Sequence, residues 1–450
     1  MYKPTSAELN NINSFFFHVL LGLLATISKF VIIGFVYYAV LQFISALRKS
    51  KNRYQTDQLF IKMLLYLSSF EIISRIVSTP PWIPYEFGKY FTIVSLTFYA
   101  LSRGVKNRSA FWPVLLIILS LIISIIFSDQ ILFSDISFNF LGLLSVALFL
   151  FVFSKNVVIS VDEVINSIIH PIVIVWIYCL IRTPSFDELV LSADGASELT
   201  TGGFGTNQVA TALGLGVFLM FVKYYTNSYY SGKKWIDLLI LSGMSLQGLL
   251  SFSRGGMMGA GIAIIIFIIV YSNSAELSKK VNKSFTLGLI LIGSFFLVDS
   301  LTDGQLIDRY AGRTSGVRAG SKEVNLNTLT TGRYDIMQGD IDLFLTSPIT
   351  GVGIGNSPKL RENGSGYIAH TEISRLLAEQ GLFGGIFFLS WLLIPISNLK
   401  NQTSAFGKAF VLSVLALAVF TTFHAAMRTF ITPVLTGLAV LVYPHLRKKK

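Results

Sequence analysis

The chain has 450 residues, of which 52% are hydrophobic and 13% are charged, and its mean hydropathy is +0.64. Soluble domains carry about 25% charged residues, so the composition excludes an ordinary soluble protein. The net charge of +12 does not indicate nucleic-acid binding, because lysine and arginine gather in short segments between apolar runs. These runs of about 20 residues recur along the whole chain and predict an all-α polytopic membrane protein. The chain has a single cysteine, Cys179, which excludes an intramolecular disulfide.

The first apolar tract covers residues 13–47 and contains one charged residue, Lys29. A single helix of this length would be about 50 Å long, so the tract predicts either one overlong helix or a cramped hairpin. Further spans are predicted at residues 59–78, 88–102, 110–128, 136–154, 163–181, 207–226, 235–252, 256–272, 284–301, 376–398, 408–426 and 429–446. We therefore expect about 13 transmembrane helices, within a range of about 12 to 14.

The connections between these spans alternate in charge. Basic residues mark six segments, at 48–53, 103–108, 233–234, 279–283, 400–408 and 447–450, whereas 129–135 and 183–206 are acidic or neutral. The basic side is cytoplasmic by the positive-inside rule, so the polar connection at 301–375 is predicted to lie outside the cytoplasmic membrane. Its interspersed apolar residues argue against disorder and favour a functional loop that contains short helices.

This pattern suggests one domain in three parts. We expect a transmembrane bundle at 1–300, an extracytoplasmic catalytic loop at 301–375, and transmembrane helices at 376–450 that complete the bundle.

Glu71 and Arg75 are the ionisable pair within a predicted span, and they lie one helical turn apart. They predict a structural ion pair, with a proton relay as the alternative.

The segment Ser251-Phe-Ser-Arg254-Gly-Gly lies between two apolar runs, and its glycines are expected to permit a tight reversal of the chain. This reversal places Arg254 at the outer rim of the membrane. The guanidinium either extends to lipid headgroups or binds an anion, since it can form bidentate bonds to the oxygens of a pyrophosphate.

Within the polar loop, an amphipathic helix is predicted at residues 330–345 and ends at Ser347-Pro348. Arg333 falls in its first turn, where the helix dipole disfavours a cation, so Asp335 or a ligand phosphate should compensate its charge.

Two other patterns in this loop are discounted as sites. Asp340-Ile-Asp342 resembles a metal–nucleotide motif, but residues two apart on a helix do not share a face. Gly351-Val-Gly353-Ile-Gly355 lacks the strand–turn–helix setting of a dinucleotide site, so it predicts a glycine-rich turn.

His370 is expected to open the helix that follows the loop. The dipole at a helix N-terminus disfavours imidazolium, so a neutral His370 is predicted near pH 7 and is a candidate general base, with helix capping as the alternative. Glu372, Arg375 and Glu379 lie on one stripe of that helix, and Arg428 also falls on the outer side. The other histidines, His18, His170, His424 and His445, receive no role.

Five segments together resemble the Wzy/O-antigen ligase superfamily. They are Gly203-Phe-Gly-Thr-Asn207-Gln-Val-Ala210, Ser253-Arg254-Gly255, Thr331-Gly-Arg333, the glycine-rich turn at 351–355, and His370-Thr-Glu-Ile-Ser-Arg-Leu-Leu-Ala-Glu379-Gln-Gly381-Leu-Phe-Gly384. The resemblance is sharp over about residues 200–400 and architectural before them. Thr371 stands where the family commonly has Asn, and Gln208 where it often has Pro.

The resemblance implies glycosyl transfer on the outer side of the bacterial cytoplasmic (inner) membrane, from an undecaprenyl-pyrophosphate-linked glycan, without a metal or cofactor. The implied catalytic residues are His370, Arg254 and Arg333. Substrate binding is implied for the two arginines just named and for Arg313, Arg375, Arg428, Asn207 and Glu379. The implied partners are a lipid-linked glycan or lipid A–core acceptor, membrane lipids and a chain-length regulator, and no nucleic acid.

Three classes of function are compared. The first is an enzyme, a repeat-unit polymerase for O-antigen, capsule or exopolysaccharide, with an O-antigen ligase as the near alternative. A lipid-linked oligosaccharide flippase should instead place ionisable residues at mid-membrane on broken helices in two repeated halves. A structural membrane protein has no need for arginines at two rims and a neutral histidine.

Overall fold

The computed structural model describes residues 6–50, 52–104, 108–127, 133–154, 157–185, 188, 198–272, 277–313, 325–362 and 366–444. The described chain is helical. The first eight helices are α1 Ser6–Ile27, α2 Lys29–Lys49, α3 Arg53–Ser68, α4 Glu71–Ile76, α5 Phe87–Arg103, α6 Trp112–Phe127, α7 Phe133–Phe153 and α8 Val161–Arg182. The rest are α9 Thr206–Tyr225, α10 Lys234–Leu250, α11 Arg254–Ser272, α12 Leu277–Leu301, α13 Gln305–Tyr310, α14 Leu326–Leu329, α15 Arg333–Thr346, α16 Ser357–Leu360, α17 Glu372–Asn398, α18 Ala405–Thr421 and α19 Ile431–Val440.

The all-α class is confirmed for the described residues, and several of the helices are candidates to span a membrane. In the described part of the chain, 7 helices are long and apolar enough to cross a membrane: α1, α2, α8, α9, α11, α12 and α17. Four shorter apolar helices, α6, α7, α18 and α19, accompany them. Each predicted span contains helix, but the total of about 13 stays a prediction.

The tract at 13–47 forms two helices. α1 ends at Ile27 and α2 begins at Lys29, because Ser28 has an extended backbone and its side chain accepts a hydrogen bond from the Phe30 N–H. The two helices contact each other. The overlong single helix is therefore excluded, and the hairpin alternative is the one that the structure adopts.

The span predicted at 59–78 is likewise divided, into α3 and α4. At this break the hydroxyl of Ser69 donates to the Leu65 carbonyl at 2.7 Å. α4 then carries Glu71 and Arg75, whose ion pair is 2.8 Å long and fully buried, as predicted for a structural pair.

The chain divides into two compact units, each built from two separate segments. The first unit contains Met1–Gly88 and Ile159–Tyr310. Its centre is α9, which packs against α8, α10 and α11. α9 and α11 approach each other closely at Gly256. A Cβ atom added there would lie 2.3 Å from the Ala210 carbonyl, so only glycine fits at this contact.

The second unit contains Lys89–Val158 and Ala311–Lys450. In it α19 packs against α7 and α18, and α17 packs against α6 and α15. The predicted helix at 330–345 is confirmed as α15, and the 301–375 segment does contain short helices, α13 to α16.

The glycine-rich segment at 351–355 is a turn, as predicted, and it supports a break in α17. Gly381 has φ +58 and ψ −139 and interrupts that helix. The backbone N–H groups of Val352 and Gly353 donate to the carbonyls of Ala378 and Glu379, at 2.9 and 3.0 Å. These bonds satisfy carbonyls that the break leaves without helical partners, and Gly351 has room only for hydrogen beside them.

Candidate functional site

In the first unit, Arg254 is the first residue of α11 and follows a reversal of the chain. The residue with the left-handed backbone is Phe252, at φ +52, whereas Gly256 lies inside α11 at its contact with α9. The prediction of a tight reversal is therefore confirmed, but the role given to the glycines is wrong, since Gly256 serves helix packing. The hydroxyl of Ser253 donates to Asn207 Oδ1 at 2.7 Å, which ties the start of α11 to the start of α9.

Arg254 has a second arginine beside it. Arg309, on α13, is 5% exposed and donates from Nε to the Phe252 carbonyl at 3.3 Å. Burial, and then the charge of Arg254, lowers the pKa of Arg309 to about 10. Among the residues that the structure describes, none forms an ion pair with Arg254 within 4.0 Å. Two adjacent guanidinium groups of this kind favour an anion.

An apolar cavity lies next to this arginine pair. Its volume is 180 Å³, and its lining includes Val217, Leu249, Met257, Gly261, Phe295 and Tyr310. Tyr310 also interacts with the charge of Arg254, and burial raises the pKa of Tyr310 to about 12. The first unit thus places cationic groups next to a small apolar cavity.

The ion pair of Arg75 supports the segment before α9. Arg75 Nη1 donates to Gln208 Oε1 at 3.2 Å, and its guanidinium lies 5.8 Å from the centre of the Phe204 ring. The buried charges near the Gly203–Ala210 motif therefore fix Gln208, next to Asn207 in the chain.

In the second unit, Arg333 begins α15 and His370 precedes α17. Thr331 and Gly332 have positive φ angles, of 54° and 80°, and set the start of α15. The carboxylate of Asp335 accepts a hydrogen bond of 2.5 Å from the Asn327 side chain, so one of its oxygens is already bonded within the loop. His370 lies outside the helix, since Thr371 is the N-cap, and the prediction that it opens the helix is wrong by two residues.

His370 is neutral near pH 7, as predicted, but for a different reason. Burial, and then the charges of Arg333 and Arg428, lowers its pKa to about 4, while a hydrogen bond with the Ile368 backbone acts in the opposite direction. Desolvation and nearby cations therefore replace the helix dipole as the cause.

A second histidine, which the sequence analysis left without a role, belongs to the same group. His424 follows α18, is 3% exposed, and its Nδ1 donates to the Phe420 carbonyl at 3.1 Å. Burial, and then Arg333, lowers its pKa to about 3, with a smaller contribution from His370. Nothing in the local sequence around His424 marks it as a neighbour of His370, because the two lie in separate segments.

Arg428 is a buried cation in the loop between α18 and α19. It is 6% exposed, lies 5.1 Å from the centre of the Phe138 ring, and its Nε has no hydrogen-bond partner in the described chain. No described carboxylate lies within ion-pair distance of it. Burial, and then Arg375, lowers its pKa to about 9, although Glu372, Glu379 and Asp340 oppose the shift.

Arg375 and Glu379 were predicted to bind substrate, but the structure encloses both. Each side chain is 1% exposed, and Arg375 Nη1 lies 2.8 Å from Glu379 Oε2. Arg375 also pairs with Glu372, and Glu379 accepts a hydrogen bond of 3.0 Å from Ser357. The three charged residues thus form an internal ion-pair group that joins α17 to the loop at 351–361.

The remaining predicted residues are placed as follows. Asp340 is buried and lies 3.3 Å from Arg361, whereas Asp342 is exposed, so the two carboxylates do not form one site, as predicted. Arg313 is exposed at the end of the described segment 277–313. In the described chain, no group of three or more His, Cys, Asp or Glu side chains is arranged to hold a metal ion.

Comparison with family models gives a match within the transmembrane and loop region. Residues 239–389 match the family model described as O-Antigen ligase, a segment that contains Arg254, Arg333 and His370. No curated protein matches the chain. The match indicates a glycosyl-transferring membrane enzyme that acts on lipid-linked glycan in polysaccharide biosynthesis. Over residues 239–389 this multi-pass membrane protein is therefore similar to the O-antigen ligase family, in agreement with the resemblance of the chain to the Wzy/O-antigen ligase superfamily.

Proposed function

We propose that the protein polymerises undecaprenyl-pyrophosphate-linked repeat units into O-antigen, capsule or exopolysaccharide. The reaction takes place on the outer side of the cytoplasmic (inner) membrane and needs no metal or cofactor. A hydroxyl of the acceptor glycan attacks the anomeric carbon of the donor. The bond from that carbon to the pyrophosphate breaks, and the pyrophosphate departs on its undecaprenyl carrier.

The observation that carries this proposal is the neutral His370 beside two cations. Arg333 and Arg428 both act electrostatically on His370, and Arg428 has a buried Nε without a partner. A buried cation that lacks a counter-ion is costly and favours an anionic ligand. The departing pyrophosphate is such an anion, and arginines that stabilise its developing charge supply a large part of the catalysis.

His370 is the proposed general base and takes the proton of the acceptor hydroxyl. With its pKa lowered to about 4, the imidazole is a weak base while the site is empty. Bound pyrophosphate offsets the charges of Arg333 and Arg428, so the pKa of His370 rises when the donor is present. The donor thereby activates the base, and the acceptor is deprotonated only when a donor is there to react.

The arginine pair of the first unit supports a lipid-linked donor. Arg254 and Arg309 supply positive charge, and the adjacent cavity of 180 Å³ is lined by apolar groups such as Met257 and Phe295. A ligand with a pyrophosphate and a hydrocarbon chain carries both kinds of group. Asn207, held by Ser253, fixes the start of α11 and with it the position of Arg254.

Roles are proposed for the other predicted residues. Arg375 and Glu379 position the loop at 351–361 through their ion pair, and Arg313 contacts the glycan from its exposed position. A chain-length regulator and membrane lipids are the proposed partners. A flippase is disfavoured because the buried pair of Glu71 and Arg75 is structural.

An O-antigen ligase is the second candidate, and the description of the matching family favours it. The two functions differ in the acceptor, which is a lipid-linked glycan for a polymerase and lipid A–core for a ligase. A deletion strain distinguishes them when its surface polysaccharide is separated on a gel. Loss of the ladder with single repeat units retained supports the polymerase, whereas accumulation of free lipid-linked polymer supports the ligase.

A further inference from the structure

The backbone around Arg428 is held from several directions. Glu372 Oε2 accepts a hydrogen bond of 3.0 Å from the Met427 N–H, and the Glu372 N–H donates to the Thr422 carbonyl at 2.7 Å. From α7, Gly142 packs so closely that an added Cβ would lie 1.6 Å from the Met427 carbonyl oxygen. The loop is thus fixed on both sides just before Arg428.

The contact on Arg428 itself comes from Lys89, in the first turn of α5. Lys89 is 1% exposed, and its Nζ donates to the Arg428 carbonyl oxygen at 2.9 Å. Burying an ammonium group is costly, and its bond here goes to the backbone of another cation. The bond therefore acts on the backbone of Arg428, whose guanidinium has no described carboxylate within ion-pair distance.

We propose that Lys89 is a positioning residue for the anion site. By holding the Arg428 carbonyl, it fixes the backbone from which the guanidinium extends over the Phe138 ring, and it leaves Nε available to a phosphate oxygen. The inference rests on the proposed function, because it takes the pyrophosphate of the donor as the ligand of Arg428.

The test measures binding of geranyl pyrophosphate to the full chain in detergent by isothermal titration calorimetry. Four proteins are compared first: the unaltered chain, Lys89→Met, Arg428→Met and the double variant. We expect each single variant to bind about tenfold more weakly, a loss typical of a hydrogen bond to a charged group. The double variant should bind no more weakly than Arg428→Met, because Lys89 acts through Arg428.

Lys29→Met is the matched control. Lys29 Nζ also donates to a backbone carbonyl, that of Ser78, at 3.1 Å, but it belongs to the first unit, whereas Arg428 belongs to the second. This variant should bind the probe like the unaltered chain. If Lys89→Met does not accumulate as folded protein, Lys89→Gln replaces it in the cycle, because its amide keeps the buried position polar but ends short of the carbonyl.

Two results would overturn the inference: normal binding by the Lys89 variant, or a loss in the double variant equal to the product of the two single losses. Either can occur in a chain that still makes polymer, so the proposed function would stand. The opposite outcome is also possible: the losses in binding at Lys89 and Arg428 are not independent, but the unaltered chain neither joins lipid-linked repeat units nor transfers them to lipid A–core. In that case the proposed function fails and the role of Lys89 remains.

Discussion

Replacing Arg375 by Met should destabilise the second unit strongly, and the effect separates a structural role from substrate binding. Arg375 lies between Glu372 and Glu379, and none of the three side chains is more than 1% exposed. Removal of the guanidinium leaves two carboxylates buried next to each other without their cation. Glu372 also holds the Met427 N–H, so the disturbance extends to the loop that carries Arg428.

The magnitude follows from this burial. Removing one partner of a buried ion pair costs about 3–5 kcal/mol, because the remaining charge is left uncompensated. Two carboxylates remain here, so the cost should reach the upper part of that range. The double variant Arg375→Met/Glu379→Gln should recover part of the loss, because it leaves one buried charge instead of two.

The assay is the free energy of unfolding of the full chain in mixed micelles, titrated with denaturing detergent. Lys359→Met is the matched control, since Lys359 and Asp135 form an ion pair of the same 2.8–2.9 Å length in the same unit, with side chains 46% and 28% exposed. An exposed pair of that kind contributes about 0–1 kcal/mol. If Arg375→Met is no less stable than Lys359→Met but has lost binding of geranyl pyrophosphate, Arg375 contacts the substrate and our structural interpretation is wrong.

Four further predictions concern the reaction and the topology. His370→Gln should lower the rate of polymer formation about 10²–10⁴-fold with donor binding retained, because Gln cannot take the proton. Normal polymer at equal expression would identify His370 as a structural or acceptor-binding residue. Because the pKa of His370 is lowered to about 4, kcat/KM should not depend on the protonation of His370 above about pH 5 and should fall below that pH as imidazolium forms. The value of kcat is measured with the donor bound, which raises the pKa of His370, so kcat should begin to fall at a higher pH than kcat/KM. Arg254→Lys and Arg333→Lys should each reduce polymer, because lysine keeps the charge but not the bidentate geometry, and full synthesis by both would assign these arginines to topology alone. A cysteine at Tyr367, which is 59% exposed, should react with a membrane-impermeant maleimide in intact spheroplasts of a Cys179→Ala strain, and labelling only after lysis would contradict an outer location of the loop.

Helices and site residues were predictable to different degrees. Apolar length located the helices, because a bilayer demands about 20 apolar residues in each span. The breaks at Ser28 and Ser69 fall within apolar tracts, so hydropathy does not register them. His370 and Arg333 were chosen as candidate site residues because their residue types suit the chemistry and because polar residues are rare in this chain.

Contacts between distant segments explain the rest. Arg309 and His424 were missed because their neighbours come from other parts of the sequence, and no local pattern brings them together. Arg375 and Glu379 were assigned to substrate although their spacing on one helical stripe already allowed them to pair with each other. Only the packing of α17 against its neighbours decides whether such a stripe faces a ligand or the protein interior.

The interleaving of the two units has a consequence for biosynthesis. The first unit has all of its residues once the ribosome has passed Tyr310, whereas α5, α6 and α7 must wait in the membrane for partners that are made only after that point. Domains fold as units as their chains emerge, so the second unit is completed last and is the more exposed to misassembly. The segment at 239–389 that matches the family model contributes residues to both units, so its two parts belong to units that are completed at different stages of synthesis.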